Sequence, residues 1–249
     1  MSGLSRRDLW GMAVRTSFLQ ATFNYERQQG IGWAWALKPA LDRYYPDAAL
    51  RRQRLAEHTA YFNTQPALAS LALGAVARLE ERRASGEGPD GEAVARVKSV
   101  LGSSAAALGD PLFWFTLRPF AATLGVALVP LGLPAAALAL WLCYNIVHLG
   151  LRLLGVGWGY RRGPAVLGEP LRGRLTRLTQ VLGLLGAMLV GVAVAWMLVP
   201  GGSPRPLVFQ VSLVAGLGVG LIAAQRGRPG PTEWALGVGG LCLLSTLFR

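Results

Sequence analysis

Beyond residue 110 the sequence consists mainly of long apolar runs, and these leave few folds open to the chain. Five runs are separated by short polar or basic segments: residues 112–133, 134–151, 178–199, 207–224 and 232–248. Each approaches the roughly 20 residues with which an α-helix crosses a bilayer. Only 15% of the residues are charged and the mean hydropathy is +0.38, which does not suit a water-soluble domain. The sequence predicts an all-α integral membrane protein.

The composition divides the chain near Asp110. Residues 1–110 mix charged and amphipathic segments, and they are predicted to form an N-terminal helical region that faces the cytoplasm or is partly embedded through amphipathic and re-entrant helices. Residues 111–249 are predicted to form the membrane region, with about five transmembrane or re-entrant helices.

The basic residues predict the orientation. Residues 111–249 contain 11 basic and 2 acidic residues, and six of these arginines lie between residues 152 and 177. The positive-inside rule places that loop in the cytoplasm. Two spans separate it from the N-terminal region, which is therefore cytoplasmic as well, and the first residues lack the features of a signal peptide. The excess charge is expected to contact anionic lipid head groups rather than nucleic acid.

The N-terminal region contains several helix signals. Ser5 and Asp8 have the spacing of a capping box, so a helix is predicted to begin there. Trp10, Val14 and Phe18 then follow at helical spacing, and this stripe is predicted to lie on the membrane or on a partner. The other predictions are an interfacial segment at 31–41 with two tryptophans, an exposed charged helix at 51–61, a buried or re-entrant segment at 66–77, a solvated loop at 80–90 and a helix at 92–100.

The junction at Asp110 allows two interpretations. An acid and Arg118 beside an entry into lipid are costly, and such residues by default mark a functional or interface site. Alternatively a helix begins here, with Asp110 as its N-cap, Pro111 in its first turn and Arg118 extending toward the head groups.

The residues that usually carry chemistry are sparse. Cys143 and Cys242 both lie in apolar runs and are interpreted as small buried side chains. His58 is assigned to the surface of a charged helix, and His148 to a hydrogen bond between membrane helices. The sequence shows no nucleophile–base grouping, metal-ligand spacing or phosphate-binding loop, so we expect neither catalysis nor a cofactor or metal.

Several motifs along residues 1–165 together resemble the IID membrane component of the mannose/fructose/sorbose family of sugar phosphotransferase systems. These motifs are residues 17–21, Phe23-Asn24-Tyr25-Glu26-Arg27, Tyr61-Phe62-Asn63-Thr64-Gln65-Pro66, Lys98, Gly109-Asp110-Pro111-Leu112-Phe113-Trp114 and Leu117-Arg118-Pro119. The resemblance implies a multi-pass subunit of a bacterial cytoplasmic membrane that pairs with a IIC subunit, in a larger oligomer of such pairs. The pair would bind and translocate a hexose, which IIA and IIB phosphocarriers phosphorylate. The IID component itself would carry no phosphohistidine.

Recognition of a hexose needs converging polar groups and an apolar wall. The candidates for sugar contact are Asn24, Glu26, Asn63 and Asp110. A second set is assigned to the partner interface or to the structure of the motifs: Phe23, Tyr25, Arg27, Thr64, Pro66, Gly109, Trp114, Arg118 and Pro119. The alternative is that Glu26 with Arg27, or Asp110 with Arg118, form buried ion pairs that hold the subunit against IIC.

The sequence departs from the family pattern at a few positions. Ser103, Ser104 and Ala107 stand where the resemblance leads us to expect a Gly-Pro pair and a further glycine, Pro111 replaces a usual serine, and Gln65 replaces a common histidine. The loop at 201–206 is also short. These departures raise a second hypothesis, a degenerate or regulatory subunit that keeps the IIC-binding surface without sugar transport.

Overall fold

The computed structural model describes residues 3–128 and 136–198, and within them the chain is helical apart from turns and two isolated bridges. The elements are α1 (Arg6–Thr16), α2 (Gly30–Tyr44), α3 (Ala48–His58), α4 (Ala69–Ala84), α5 (Gly91–Leu112), a π-helical turn (Phe113–Leu117), α6 (Arg118–Leu128), α7 (Ala136–Arg162), a 3-10 turn (Gly163–Leu167) and α8 (Glu169–Leu198). The predicted all-α class is confirmed.

The chain forms two compact units, residues 1–189 and residues 190–249. The described part of the second unit is the C-terminal end of α8. The predicted runs at 207–224 and 232–248, the loop at 201–206 and Cys242 lie outside the described residues. The division at residue 110 stays a prediction about membrane embedding, since α5 passes through that position.

Helix α1 begins where the sequence indicates. The Ser5 hydroxyl accepts a hydrogen bond from the Asp8 N–H at 3.2 Å, and the Asp8 carboxylate accepts one from the Ser5 N–H at 2.9 Å, so the capping box is formed. Met12 and other residues on the inner face are buried. The predicted stripe of Trp10, Val14 and Phe18 lies on the exposed face, where the described part of the chain leaves it uncovered.

Helix α4 is the centre of the first unit. Its residues from Ala69 to Ala77 are all buried, as expected for the apolar segment at 66–77. It packs against α2, α5 and, most extensively, α7. The α4–α7 contact is close because small residues face each other: the backbones approach at Gly74, Gly155 and Gly159.

Three predictions in this region are wrong. Helix α4 continues to Ala84, so Glu80 is fully buried within it rather than exposed in a loop. His58, at the end of α3, is 3% exposed and not on the surface. Trp33 is completely buried while Trp35 is 42% exposed, because residues two apart on a helix point to opposite sides, and only Trp35 suits an interface.

The interpretation of Asp110 as an N-cap is also wrong. Helix α5 runs without interruption through Asp110 and Pro111, and the chain then widens into the π-helical turn. Pro111 has no N–H to donate to the preceding turn, which accounts for a local departure from α-helical geometry here. The Arg118 N–H closes the π-helical turn by donating to the Phe113 carbonyl, five residues back.

The apolar helices that the sequence analysis assigned to the membrane follow this turn. Among the described residues, the segment Ala136–Leu167 is the one that is long and apolar enough to cross a bilayer. It extends well beyond the predicted run at 134–151. Helix α8, with 30 residues, contains nearly all of the predicted run at 178–199.

Candidate functional site

The loop that carries Asn24 is built by the side chain of that residue. The Asn24 side-chain oxygen Oδ1 accepts a hydrogen bond from the Arg27 N–H at 2.8 Å, and its side-chain Nδ2 donates to the Thr22 carbonyl at 3.3 Å. Asn24 and Gln28 also form an antiparallel bridge, and Gln28 adopts a positive φ of 52°. Asn24 therefore closes a tight turn that exposes the side chains between these two residues.

This loop docks onto the segment at 61–64 through Gln29, a residue that the sequence analysis did not single out. The Gln29 backbone N–H donates to the Phe62 carbonyl at 2.8 Å. Its side-chain amide donates to the Thr64 carbonyl at 2.8 Å and accepts from the Thr64 N–H at 3.1 Å. Gln29 is 1% exposed. The buried Gln29 amide pairs with both backbone groups of Thr64, as the backbone of a neighbouring strand would. These hydrogen bonds hold the two loops together.

The second loop is in turn held against α5. The Thr64 hydroxyl donates to the Gly102 carbonyl at 2.7 Å. A Cβ at Gly102 would lie 2.8 Å from the Phe62 ring, and one at Gly109 would lie 2.6 Å from Cβ of Gln65. The Gln65 side-chain oxygen accepts from the N–H groups of the first residues that lead into α4. The glycines thus permit the loop to lie directly on the helix.

The outer edge of the two loops is exposed. Glu26 and Asn63 are exposed, and neither side chain forms a hydrogen bond or an ion pair in the described part of the chain. Tyr25 is 96% exposed, and Tyr61 is 65% exposed. Arg27 donates to the Thr59 hydroxyl at 3.2 Å rather than to Glu26. No ion pair forms between Glu26 and Arg27 within residues 3–128 and 136–198.

The remaining sugar candidate, Asp110, lies on α5 beside Gly109, which packs on Gln65 of the second loop. It lies eight residues beyond Gly102 on α5, a rise of about 12 Å. The Trp114 side chain lies near the Asp110 carboxylate, and the Arg118 guanidinium lies 5.7 Å from the Trp114 ring centroid. Trp114 therefore stands between the two charged groups, and the described residues contain no Asp110–Arg118 ion pair. The sequence analysis grouped these three residues, but it did not predict that the Trp114 side chain lies between the two charged groups.

A buried charged cluster lies beneath the loops, and the sequence analysis missed it. The Glu80 carboxylate accepts from Tyr45 Oη at 2.7 Å and lies 3.2 Å from both His58 Nε2 and Arg83 Nη1. Burial favours the protonated acid, but the hydrogen bonds from His58 and Tyr45 and the charge of Arg83 hold the pKa of Glu80 below its usual value. The signal in the sequence is weak, because these residues lie on three separate helices.

Lys98 links the cluster to the loops. Its ammonium donates to the His58 carbonyl at 2.9 Å and to the Ala60 carbonyl at 3.3 Å. The same group lies 5.4 Å from the ring centroids of Trp33 and Phe62. Burial lowers the pKa of Lys98 to about 7. The lysine that carries part of the resemblance is therefore structural: it satisfies carbonyl groups at the end of α3.

A second polar group lies in α7, where Tyr144, His148 and Arg152 follow at intervals of four residues. The rings of Tyr144 and His148 stack with their centroids 5.4 Å apart. The Phe113 ring of the π-helical turn lies edge-on to both, at centroid distances of 6.2 Å from Tyr144 and 5.9 Å from His148. Arg152 is 8% exposed and its Nε has no hydrogen-bond partner among the described residues. The predicted interhelical hydrogen bond of His148 is not seen there, since its Nδ1 also lacks a partner.

The chain is similar in sequence and in structure to proteins of one known family. The profile of the PTS system mannose/fructose/sorbose family IID component matches residues 3–200. The mannose-specific EIID component of Escherichia coli (strain K12) is 35% identical over 192 residues, which are 77% of this chain and 68% of that protein. The fructose permease IID component of Bacillus subtilis (strain 168) is 33% identical over 192 residues, 77% of this chain and 70% of that protein. A cryo-EM structure of the mannose transporter ManYZ with microcin E492 contains a chain with a TM-score of 0.62 and 28% identity, covering 99% of this chain and 98% of that one.

Proposed function

This chain belongs to the IID components of the mannose/fructose/sorbose family of phosphotransferase systems, and we propose that with a IIC subunit it forms the membrane path for a hexose. The observation that carries the proposal is the match of the family profile to residues 3–200. The names of the relatives specify mannose, fructose and sorbose, so the proposed cargo is a hexose of this class.

The exposed edge formed by residues 23–27 and 61–63 is the proposed contact region for the sugar or for IIC. Glu26 and Asn63 present unpaired polar atoms there, beside exposed aromatic rings that suit the C–H face of a sugar. Asn24 supports this edge by closing the turn. Asp110 and Trp114 form a second contact point further along α5, and Arg118 neighbours it.

The subunit is proposed to perform no phosphoryl transfer itself. His58 Nε2 is held by Glu80 in the interior, and His148 is enclosed between Phe113 and Tyr144. A phosphohistidine needs an imidazole that a phosphocarrier can reach, whereas His58 is buried and the half-buried ring of His148 packs against two aromatic rings. IIA and IIB phosphocarriers are therefore the proposed source of the phosphoryl group. The proposed setting is a bacterial inner membrane, with the chain crossing several times and the N-terminus in the cytoplasm, as the arginine-rich loop supports.

The alternative of a subunit without transport is not favoured, because the structure accommodates the departures from the family pattern. Gln65 orders the entry into α4 through two N–H groups. Ser103 donates to the Ser99 carbonyl at 3.2 Å within α5. Pro111 lies at the end of that helix, where the π-helical turn follows.

The test is phosphoenolpyruvate-dependent phosphorylation of labelled mannose, fructose and sorbose by membranes that contain the cognate IIC, IIA and IIB, with and without this chain. We expect phosphorylation of at least one of the three only when the chain is present. Equal phosphorylation in its absence would overturn the proposal.

The contact edge is tested in the same membranes with Glu26→Gln and Asn63→Ala. We expect the KM for the sugar to rise about tenfold or more while the chain still assembles with IIC, consistent with the loss of a hydrogen bond to a polar ligand. Glu87→Gln and Gln53→Ala are matched controls, because both side chains are exposed elsewhere in the N-terminal region. Unchanged KM and assembly in the edge variants would remove Glu26 and Asn63 from the site.

A further inference from the structure

A basic cavity lies where α7 ends and α8 begins. Its volume is about 360 Å³. Arginines and apolar side chains line it together. The residues that matter are Arg161, Arg162, Arg174, Trp158, Val166 and Leu171.

The backbone between the helices creates this concavity. Gly163 adopts a positive φ of 61°, which ends α7 and turns the chain into the 3-10 turn. Val166 and Leu167 of that turn are buried against the core, and the turn contacts α4. Helix α8 then starts at Glu169 and brings Arg174 back toward Arg161 and Arg162.

The three arginines around the cavity lack partners. None of Arg161, Arg162 and Arg174 forms a hydrogen bond or ion pair with a residue in the described ranges. The one nearby acid, Glu169, lies 3.9 Å from Arg172 instead. The three guanidinium groups are exposed and stay charged at any physiological pH, so together they make the concavity electrostatically favourable for an anion. Paired N–H groups of arginine match the oxygens of a phosphate.

The apolar wall and the position along α7 favour one source of that anion. The cavity lies at the end of the segment Ala136–Leu167, the segment long enough to cross the membrane, and therefore at a bilayer boundary. Trp158 is 38% exposed beside it, as expected for a side chain at the head-group level. Inorganic phosphate would gain nothing from Val166, Leu171 and Trp158, whereas the glycerol and upper acyl chain of a lipid would pack against them.

We propose that this cavity binds the head group of an anionic phospholipid. The phosphodiester lies between Arg161, Arg162 and Arg174, and the acyl chain passes over Trp158. Basic pockets between transmembrane helices are a recognised form of head-group site, and the concave wall distinguishes this one from a diffuse basic surface.

The experiment measures binding of phosphatidylglycerol to the full-length chain, purified with IIC in a neutral detergent, by native mass spectrometry against phosphatidylcholine. The test variant is R161Q/R174Q. The matched control is R172Q/R177Q, which removes two exposed arginines from α8 near the same boundary but outside the cavity. We expect affinity for phosphatidylglycerol to fall roughly 10- to 30-fold in the test variant, since each of the two arginines that line the cavity is expected to contribute about a fivefold factor. The loss in the control should be less than about threefold, because Arg172 and Arg177 lie outside the cavity and would not touch a head group bound in it. R161K/R174K keeps both charges and should lie between the wild type and the test variant.

Three results would overturn the proposal. Equal loss in both double variants indicates a diffuse surface charge, and equal binding of the two lipids to the wild type indicates no head-group recognition. Unchanged lipid binding in R161Q/R174Q with loss of phosphorylated IIB binding would assign the cavity to a protein. The unfolding temperature of R161Q/R174Q in mixed micelles of detergent and phosphatidylcholine must match that of the wild type. If it does not, R161K/R174K serves as the test variant in its place.

Discussion

Replacing Gly159 by alanine should separate the two helices that hold the first unit together. A Cβ at this position would lie 2.0 Å from the Leu71 carbonyl oxygen and 3.0 Å from the Ala75 nitrogen, both in the backbone of α4. Backbone atoms of a buried helix cannot rotate away as a side chain can. The contact therefore has to be relieved by moving α7 and α4 apart.

The size of the effect follows from that movement. A carbon and an oxygen rarely approach closer than about 3 Å, so the helices must separate by roughly 1 Å, and a gap of this size forfeits about a quarter to a half of the dispersion energy along the contact. Overpacked cores lose about 1–3 kcal/mol. We expect G159A to lie at the upper end, about 3 kcal/mol, because the whole α4–α7 contact is affected.

The assay is thermal unfolding of the purified full chain in detergent, with G150A on the same helix as the control. A Cβ at Gly150 meets no atom within 4 Å. Alanine is a better helix former than glycine by up to about 1 kcal/mol, so G150A should be neutral or stabilising. The two substitutions are thus expected to act in opposite directions. Equal effects of G159A and G150A on the unfolding temperature would refute the close α4–α7 packing.

Three further outcomes are expected. Glu80→Gln should destabilise the chain by about 3 kcal/mol by disrupting a buried charged cluster, whereas the exposed Glu92→Gln should change little, and both are measured by thermal unfolding. Lys98 takes up a proton on unfolding because its pKa in the folded chain is about 7, so stability should rise as the pH rises from about 7 to 9.5, and the slope should be smaller in Lys98→Met. Gln29→Ala leaves the N–H and carbonyl of Thr64 unpaired, which should cost about 2 kcal/mol and accelerate hydrogen exchange in both loops relative to the rest of the chain.

Much of the secondary structure follows from local chemistry that the sequence displays. The capping box at Ser5 and Asp8 specifies the start of α1. The apolar segment at 66–77 is buried because it has no polar face to present to water.

The errors arise where tertiary contacts override local composition. Glu80 stands in a charged stretch, and only its partners on α2 and α3 explain why the helix continues and buries it. A proline such as Pro111 is typical of the first turn of a new helix. Here α5 continues through it, where Gly109 packs on Gln65. Gln29 has no distinctive neighbours, and its role depends on Thr64, 35 residues away.

The candidate contact edge could be predicted in part. The motifs place Glu26 and Asn63 near each other once the two loops are known to pair, but no local pattern indicates that pairing. Asp110 lies on α5 rather than in either loop, next to Gly109, which packs on Gln65.

We propose that this chain and a IIC subunit together form a hexose site that neither subunit has alone. Equilibrium binding of labelled mannose, fructose and sorbose to the purified pair, to this chain alone and to IIC alone tests it directly. We expect that the chain co-purifies with IIC and that saturable binding of at least one of these sugars requires both subunits. A chain that remains monomeric beside IIC, or sugar binding to IIC that is unchanged when this chain is absent, would contradict it.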